Sequence, residues 1–596
     1  MKTHFALALT FVLAAACGPS GRSSNSGGGD DGGGGDDGGM RLPDGALIGA
    51  SCSSDLHDVL DANGNVIMAC PDDQGCAAGV CVDACAAAAA SEGSVGCDFV
   101  VATPSFYPTI APPCFAVFLA NNWPTDAMVS ITQNNTPYDV TTFGRVPDGT
   151  ANAGSWPAVP ATGIPSSNVG VLFLAQDPSS TNITPLTCPV TPAVNQSGST
   201  SVWDESASAS GIGNSWHITT SRPVSAYDIY PYGGATSYLP SAELLFPTSA
   251  WGMNYVTGNP APTSGSGWGQ VTAMTDGTTV MITPTTNLPG GTGVSAVSAG
   301  TTGSLTLNAG QFVQWQDAGD MAGSVITSDK PVSFTGGTTY LCLGDSTSSG
   351  GGCDSGHQDT PPVSALGSEY VAPPYATRQA DLSEESIVYR FVGAVDGTAL
   401  TYDPPGAGPA TLNQGQVVQF EATGAFRVTS QDAMHPFYVG QYMTGCFTSS
   451  GSRAGANDPE QGNCLGDEEY VDIVPPAQWL SSYVFFTDPT YTTTNLVVVR
   501  KADGSGNFQD VTIDCLGVIG GWQAVGSSGL YQITNVDLER ITPVGSCTNG
   551  RHTASSSGGA FTIMVWGLAS FSSYAYPAGG NVGKINSVVV IGREAP

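Results

Sequence analysis

At 596 residues the chain exceeds what one hydrophobic core serves, so several domains or a repeat array are expected. Gly 78 and Pro 41, with frequent Ser, Thr and Val, predict many short strands and turns rather than helices. Lys+Arg 16 against Asp+Glu 49 gives a net charge of −33, which leaves no basic footprint to neutralise phosphates; the composition argues against a nucleic-acid partner and for an acidic extracellular surface.

Residues 1–17 have the form of a secretory signal: Lys2, a short apolar run from Phe5 to Leu13, then Ala14-Ala15-Ala16 before Cys17. Nine apolar residues cannot span a bilayer as a helix. A cysteine directly behind small residues resembles a bacterial lipobox, with Leu13 four positions before Cys17 instead of the usual three. That resemblance implies lipidation of Cys17, attachment to the membrane through the lipid alone, and delivery to the outer membrane or cell surface. Residues 18–40, rich in Gly and Asp, cannot bury a core and predict a disordered acidic tether.

Residues 41–97 form a cysteine-rich module with Cys52, Cys70, Cys76, Cys81, Cys85 and Cys97. Without Cys17, 14 of the 15 cysteines remain, an even number that in an exported chain predicts seven disulfides. The spacing lacks the paired C-x2-C knuckles of a zinc site, and connectivity within 52–97 stays open. Asp61-Ala62-Asn63-Gly64-Asn65 reads as a hairpin turn, and Ala86 to Ala90 as a helical turn or two.

From Asp98 the sequence predicts an all-β chain with internal repeats. Tyr255, Tyr370 and Tyr483, each in a Tyr-Val pair, are spaced 115 and 113 apart. Asp-Gly turns recur at Asp276, Asp396 and Asp503, and Gly310-Gln311 recurs as Gly415-Gln416. These periods predict four units of 105–120 residues, near 98–245, 246–365, 366–478 and 479–596, with the terminal ones most divergent. About six strands per unit suit a sandwich-like module and leave open a β-propeller with elaborated blades. Between 323 and 378, Val325-Ile326-Thr327 and Val332-Ser333-Phe334 are expected to be separated by a turn at Ser328-Asp329-Lys330-Pro331. Cysteines fall in local pairs, Cys342 with Cys353, Cys446 with Cys464 and Cys515 with Cys547, each expected to staple an excursion from the same part of its unit; Cys114 and Cys188 pair by elimination.

The motifs ITSDKPVSFTGGTTYLC (326–342), PPVSALGSEYVAPP (361–374), YRFVGAVDGTALTY (389–402), LNQGQVVQF (412–420) and GDEEYVDIVPPAQWLSSYVF (466–485) resemble the IgGFc-binding protein N-terminal domain family, in a bacterial surface-lipoprotein version. The resemblance covers roughly 220–500. It implies an extracellular, surface-displayed chain with no catalytic motif to carry over. After Thr429 the pattern departs, with QDAMHPF where the preceding unit has DKPV.

Chemistry-bearing patterns are sparse. Neither an H-E-x-x-H pair nor a G-x-S-x-G elbow occurs. His357 and Asp359, near Cys353 and Asp354, are the densest polar cluster, read first as a hydrogen-bonded loop beside a disulfide, with a metal or catalytic role as the lesser alternative. Asp276 and Asp396 read as turn formers bonding their own backbone, with calcium as the lesser alternative. Trp315, Phe334, Tyr340 and Trp566 read as core; Tyr227, Tyr230, Tyr232 and Tyr238, in a Gly/Pro-rich stretch, could stack on sugars or grip a partner if exposed. The adjacent pairs Glu384-Glu385 and Glu468-Glu469 point to opposite faces of a strand and fit a two-carboxylate hydrolase poorly. The sequence thus predicts a non-enzymatic surface lipoprotein that binds an extracellular protein or glycan, without cofactor; an extracellular polysaccharide hydrolase and a structural envelope protein are the alternatives. Ligand and oligomeric state are not encoded in any motif.

Overall fold

The computed structural model of the protein describes residues 49–180, 186–196, 210–449 and 464–593, so the signal segment, Cys17 and the tether lie outside it. The cysteine-rich module is small: Leu56, Ala84 and Ala88 share a core with Trp123. Crosslinks Cys52–Cys76, Cys70–Cys81 and Cys85–Cys97 supplement this limited burial. Asp83 caps helix α1 (Ala84–Ser91) by accepting from the Ala86 amide. Asp61 Oδ1 accepts from the Asn63 and Asn65 amides at 2.8 Å, and Gly64 takes the left-handed φ of +83° that the hairpin tip requires.

The remainder is strands. The first segment contains β1 (Val95–Val101), β2 (Phe115–Asn121), β3 (Val129–Gln133), β4 (Val169–Gln176), β5 (Trp216–Tyr230) and β6 (Ser241–Leu245). β1 runs across residue 97, where the sequence placed the end of the cysteine-rich module. β1 and β3 flank the first half of β5, while β4, β2, the second half of β5 and β6 follow one another in a second sheet. The next segment contains β7 (Gly252–Val256), β8 (Gly267–Ala273), β9 (Thr278–Thr283), β10 (Gln311–Ala318), β11 (Val325–Leu341) and β12 (Asp354–Asp359). β7 and β9 flank the start of β11; β10, β8, the rest of β11 and β12 form the second sheet.

Then come β13 (Glu369–Ala372), β14 (Ile387–Gly393), β15 (Thr401–Asp403), β16 (Val417–Ala422), β17 (Phe426–Thr429), β18 (Phe437–Met443) and β19 (Glu469–Asp472). β13 and β15 flank β17, and β16, β14, β18 and β19 line up beside one another. Last are β20 (Ser482–Thr487), β21 (Thr493–Lys501), β22 (Val511–Ile513), β23 (Tyr531–Arg540), β24 (Gly550–Ser556), β25 (Phe561–Ala569) and β26 (Ser572–Pro577). β20 and β22 flank β24, and β23, β21, β25 and β26 complete the second sheet. The pairing order is the same in each segment. Apolar residues of both sheets meet in one core, as Tyr255, Val280 and Ile326 do with Val271, Val313 and Phe334. Each segment is therefore a β-sandwich.

Two expectations change here. Ser328-Asp329-Lys330-Pro331 is not a turn: β11 runs through it, leaving one sheet and entering the other. Pro331, lacking an amide, sits where the strand exchanges partners. Asp276 and Asp396 do not bond their own backbone either. Each accepts from an amide across the gap to the turn before β10 or β16, Ala309 N and Gln414 N, both at 3.0 Å. The return bonds run from Gly277 N to Asn308 and from Gly397 N to Asn413.

The departure after Thr429 is resolved by geometry. Asp329 accepts from Thr279 N at 2.7 Å while Lys330 donates to Gly277 O at 2.8 Å. In the following sandwich Gln431 does both, accepting from Ala399 N at 2.8 Å and donating to Gly397 O at 2.9 Å. One amide side chain, carrying both a donor and an acceptor, replaces an acid and a base.

Tyr255, Tyr370 and Tyr483 occupy like surroundings. Each hydroxyl accepts from the amide three residues earlier (Gly252, Gly367, Leu480) and donates to a carbonyl of Val332, Phe437 or Phe561. The bond pair ties the first strand of each sandwich to the strand exchange. Tyr370→Phe removes both bonds from a fully buried site, so unfolding in urea should show a loss of about 1–3 kcal/mol, and Tyr255→Phe a similar one.

The last strand of each second sheet would be a bare edge, yet β6, β12, β19 and β26 are buried throughout. β6 packs against β12 and β26, and β19 against β12 and β26, so the four close on one another. Residues beyond β26 run back over the second and third sandwiches. Asn586 Nδ2 donates to Val363 O and Leu366 O, and Val590 N to Asn254 Oδ1.

Candidate functional site

The closed ring of edge strands explains why they carry polar residues. An edge strand exposes unpaired amides and carbonyls, and burial obliges something to pair with them. Side chains from the neighbouring sandwich do so. Gln358 Nε2 donates to Ala242 O at 2.8 Å and to Tyr470 O at 3.0 Å. Glu469 accepts from the Ala575 amide and from Ser241 Oγ, and Asp354 from the Ser573 amide. Ser355 Oγ donates to Leu239 O at 2.8 Å.

This arrangement concentrates buried acids. Burial, and then the Glu468 charge, holds the Asp467 carboxyl well above the usual carboxylate range. Asp354 is raised by burial and by Asp467, Glu468 and Glu469. Glu469 and Asp472 are raised mainly by burial. Asp359, which accepts from Thr335 Oγ1, is pushed up to about 7 by burial. The polar cluster seen in the sequence around His357 is thus not a loop but part of strand β12 in the ring.

At one end of the ring the loops before β12 and β19 meet. Cys342–Cys353 closes the first and Cys446–Cys464 the second. Glu468 ties them together, accepting from Leu343 N at 2.9 Å and Cys353 N at 2.8 Å. Phe447 and Phe571, half exposed, lie 6.1 Å apart beside them. Cys515–Cys547 lies elsewhere in its sandwich, joining the segments that follow β22 and β23, so the local cysteine pairs do not all staple the same excursion. Cys114–Cys188 spans 74 residues of the first segment.

A second site is an open cleft of about 710 Å³ between the cysteine-rich module and the fourth sandwich. Ser54, Asp55, Ser94, Ser482 and Ser555 line it together with apolar residues such as Leu60, Val66 and Trp479. Ser54 Oγ bonds Ser481 Oγ at 2.7 Å and Ser482 Oγ at 3.1 Å, which fixes one wall. No motif marked this cleft, because its walls come from opposite ends of the chain, Cys52 to Val95 and Trp479 to Asn581. The serine-glycine run Ser555 to Gly559 was the available signal.

Other predicted residues settle as follows. Trp315, Phe334 and Trp566 are core, and Tyr340 is partly buried. Tyr227, Tyr230 and Tyr232 are buried too, contrary to their reading as a surface that grips a ligand: the fourth sandwich covers Tyr227, whose Oη donates to Val484 O at 2.7 Å, and Tyr232, while Tyr230 packs on Phe106 and Phe115 in the core of the first. Glu384 is exposed whereas Glu385 is buried against Arg378, and Glu468 and Glu469 serve different partners; neither pair converges on one point. No helix among the described residues is long and apolar enough to cross a membrane.

No curated protein matches the chain. The family described as IgGFc binding protein matches residues 241–567, more than half of the sequence and all of the second and third sandwiches. On that match, the chain belongs to the IgGFc binding protein family.

Proposed function

We propose that the chain is a surface-displayed binding protein, anchored by a lipid on Cys17 and held off the membrane by residues 18–40, that captures an extracellular protein or glycan without chemical conversion. The scaffold is one sandwich module laid down four times, at 98–245, 246–365, 366–478 and 479–596. Family membership supports protein as the ligand class. The observation that carries the reading is the cleft, open to solvent, whose wall mixes serines and Asp55 with apolar residues such as Val66 and Trp479, a combination that offers directional hydrogen bonds beside apolar contact.

The test uses the mature chain immobilised and probed with IgG Fc, a panel of extracellular proteins and a glycan array. A captured ligand should be lost on Ser555→Trp, which fills the cleft from an exposed position, with the circular dichroism unchanged. Equal capture by both proteins overturns the site, and cleavage of a polysaccharide overturns the binding role. Acyl labelling should mark the wild type and not Cys17→Ser.

A further inference from the structure

Asp228 on β5 and Glu243 on β6 are direct cross-strand partners. Like charges so placed repel, and burial makes the repulsion worse. Asp228 is 0 % exposed, Glu243 2 % and His357 of β12 1 %. His357 Nε2 lies 2.9 Å from Asp228 Oδ1 and 3.9 Å from Glu243 Oε1. Asp228 Oδ2 and Glu243 Oε2 find no hydrogen-bond partner among the described residues, although both are buried. Burial, and then the Asp359 and Asp228 charges, hold the Glu243 carboxyl well above the usual carboxylate range.

One ligand atom from each of the three residues lies within 4.8 Å of the others. Donors on a common ion at about 2.1 Å stand roughly 3–4 Å apart, close to the separations of His357 Nε2 from Asp228 Oδ1 and Glu243 Oε1. We propose that Asp228, Glu243 and His357 bind a divalent transition-metal ion, with zinc or manganese the class that suits one imidazole and two carboxylates. The ion neutralises the facing carboxylates and takes up their orphaned oxygens. It also pins the first sandwich to the second, since β5 and β6 belong to one and β12 to the other. All three ligands come from strands whose backbone is already paired, so the site is built on rigid elements.

The test begins with the full mature protein, purified without chelator and assayed for metal by mass spectrometry, then stripped and titrated with Zn²⁺, Mn²⁺ and Co²⁺. One equivalent should bind, with Co²⁺ giving visible d–d absorption, and Zn²⁺ should raise the melting temperature of the stripped protein. Glu243→Gln and His357→Gln should weaken binding by more than the roughly 10–100-fold that loss of an outer-shell partner costs. Asp514→Asn, at the exposed end of the Asp514–His552 pair, should leave it unchanged. Wild-type protein that takes up none of the three ions overturns the site, as does His357→Gln binding as tightly as wild type. Should a variant not fold, wild-type stoichiometry and the Co²⁺ spectrum decide.

Discussion

Arg378→Met should destabilise the protein by about 3–5 kcal/mol, measured as a fall in urea midpoint at constant slope. Arg378 is 0 % exposed, and its guanidinium grips Glu385 through Nε at 3.1 Å and Nη2 at 2.8 Å. Its Nη1 donates to Thr444 O at 2.9 Å, and the Tyr375 ring lies 5.3 Å from its centre. Methionine fills most of the space but strands the Glu385 carboxylate, whose side chain is 4 % exposed, without a counter-charge. The Arg378→Met, Glu385→Leu double variant should recover most of the loss, because removing both charges removes the desolvation cost that broke the single variant. A single variant within 1 kcal/mol of wild type would show that water reaches Glu385.

Acid should stabilise the metal-stripped protein. Asp354 faces Asp467, Glu468 and Glu469 across the ring, with the Ser573 amide the opposing influence; Arg378 acts on Asp467. Asp354, Asp467, Glu469 and Asp472 all hold their protons more tightly folded than unfolded. For a raised carboxyl, the folded state binds the extra proton, so its contribution is complete below the unfolded value of about 4 and is lost as pH rises through the folded value. Each such proton gives a slope of about 1.4 kcal/mol per pH unit within that window. Urea midpoints at pH 4.5, 5.5, 6.5 and 7.5 should therefore decline. Asp354→Asn, neutral at every pH, should flatten the decline. Exposed Asp61, Asp148 and Asp381 are shifted downward and act oppositely, but solvent screens them. A midpoint that climbs with pH would mean that these acids are paired with cations in the fold.

Local chemistry was legible wherever one turn or strand contained it. Asp-Gly turns, the Tyr-Val strands and the β-branched runs on either side of Pro331 identify their sandwiches because sterics and period-two patterning act within a few residues. What could not be read depended on neighbours hundreds of residues away. Ser241 to Leu245 and Asp354 to Asp359 look like polar edges, and only the ring makes them buried. Tyr227, Tyr230 and Tyr232 sit in a loop-like composition, but Tyr227 and Tyr232 lie under the fourth sandwich and Tyr230 in the core of the first. Gln431 shares no charge with Asp329 or Lys330 and repeats their role only through the two ends of its amide. The cleft left only the serine-glycine run Ser555 to Gly559 as a signal, because its walls are far apart in the chain.

The mutual covering of β6, β12, β19 and β26 also limits how this architecture can grow. Each shields its neighbour with side chains matched to specific carbonyls and amides, such as Gln358 to Ala242 and Tyr470. A duplication or deletion of one sandwich would leave two such strands uncovered, and a bare strand recruits foreign chains into fibrils. Length in this lineage should therefore vary in the loops and the terminal module, while the number of sandwiches stays fixed by geometric closure.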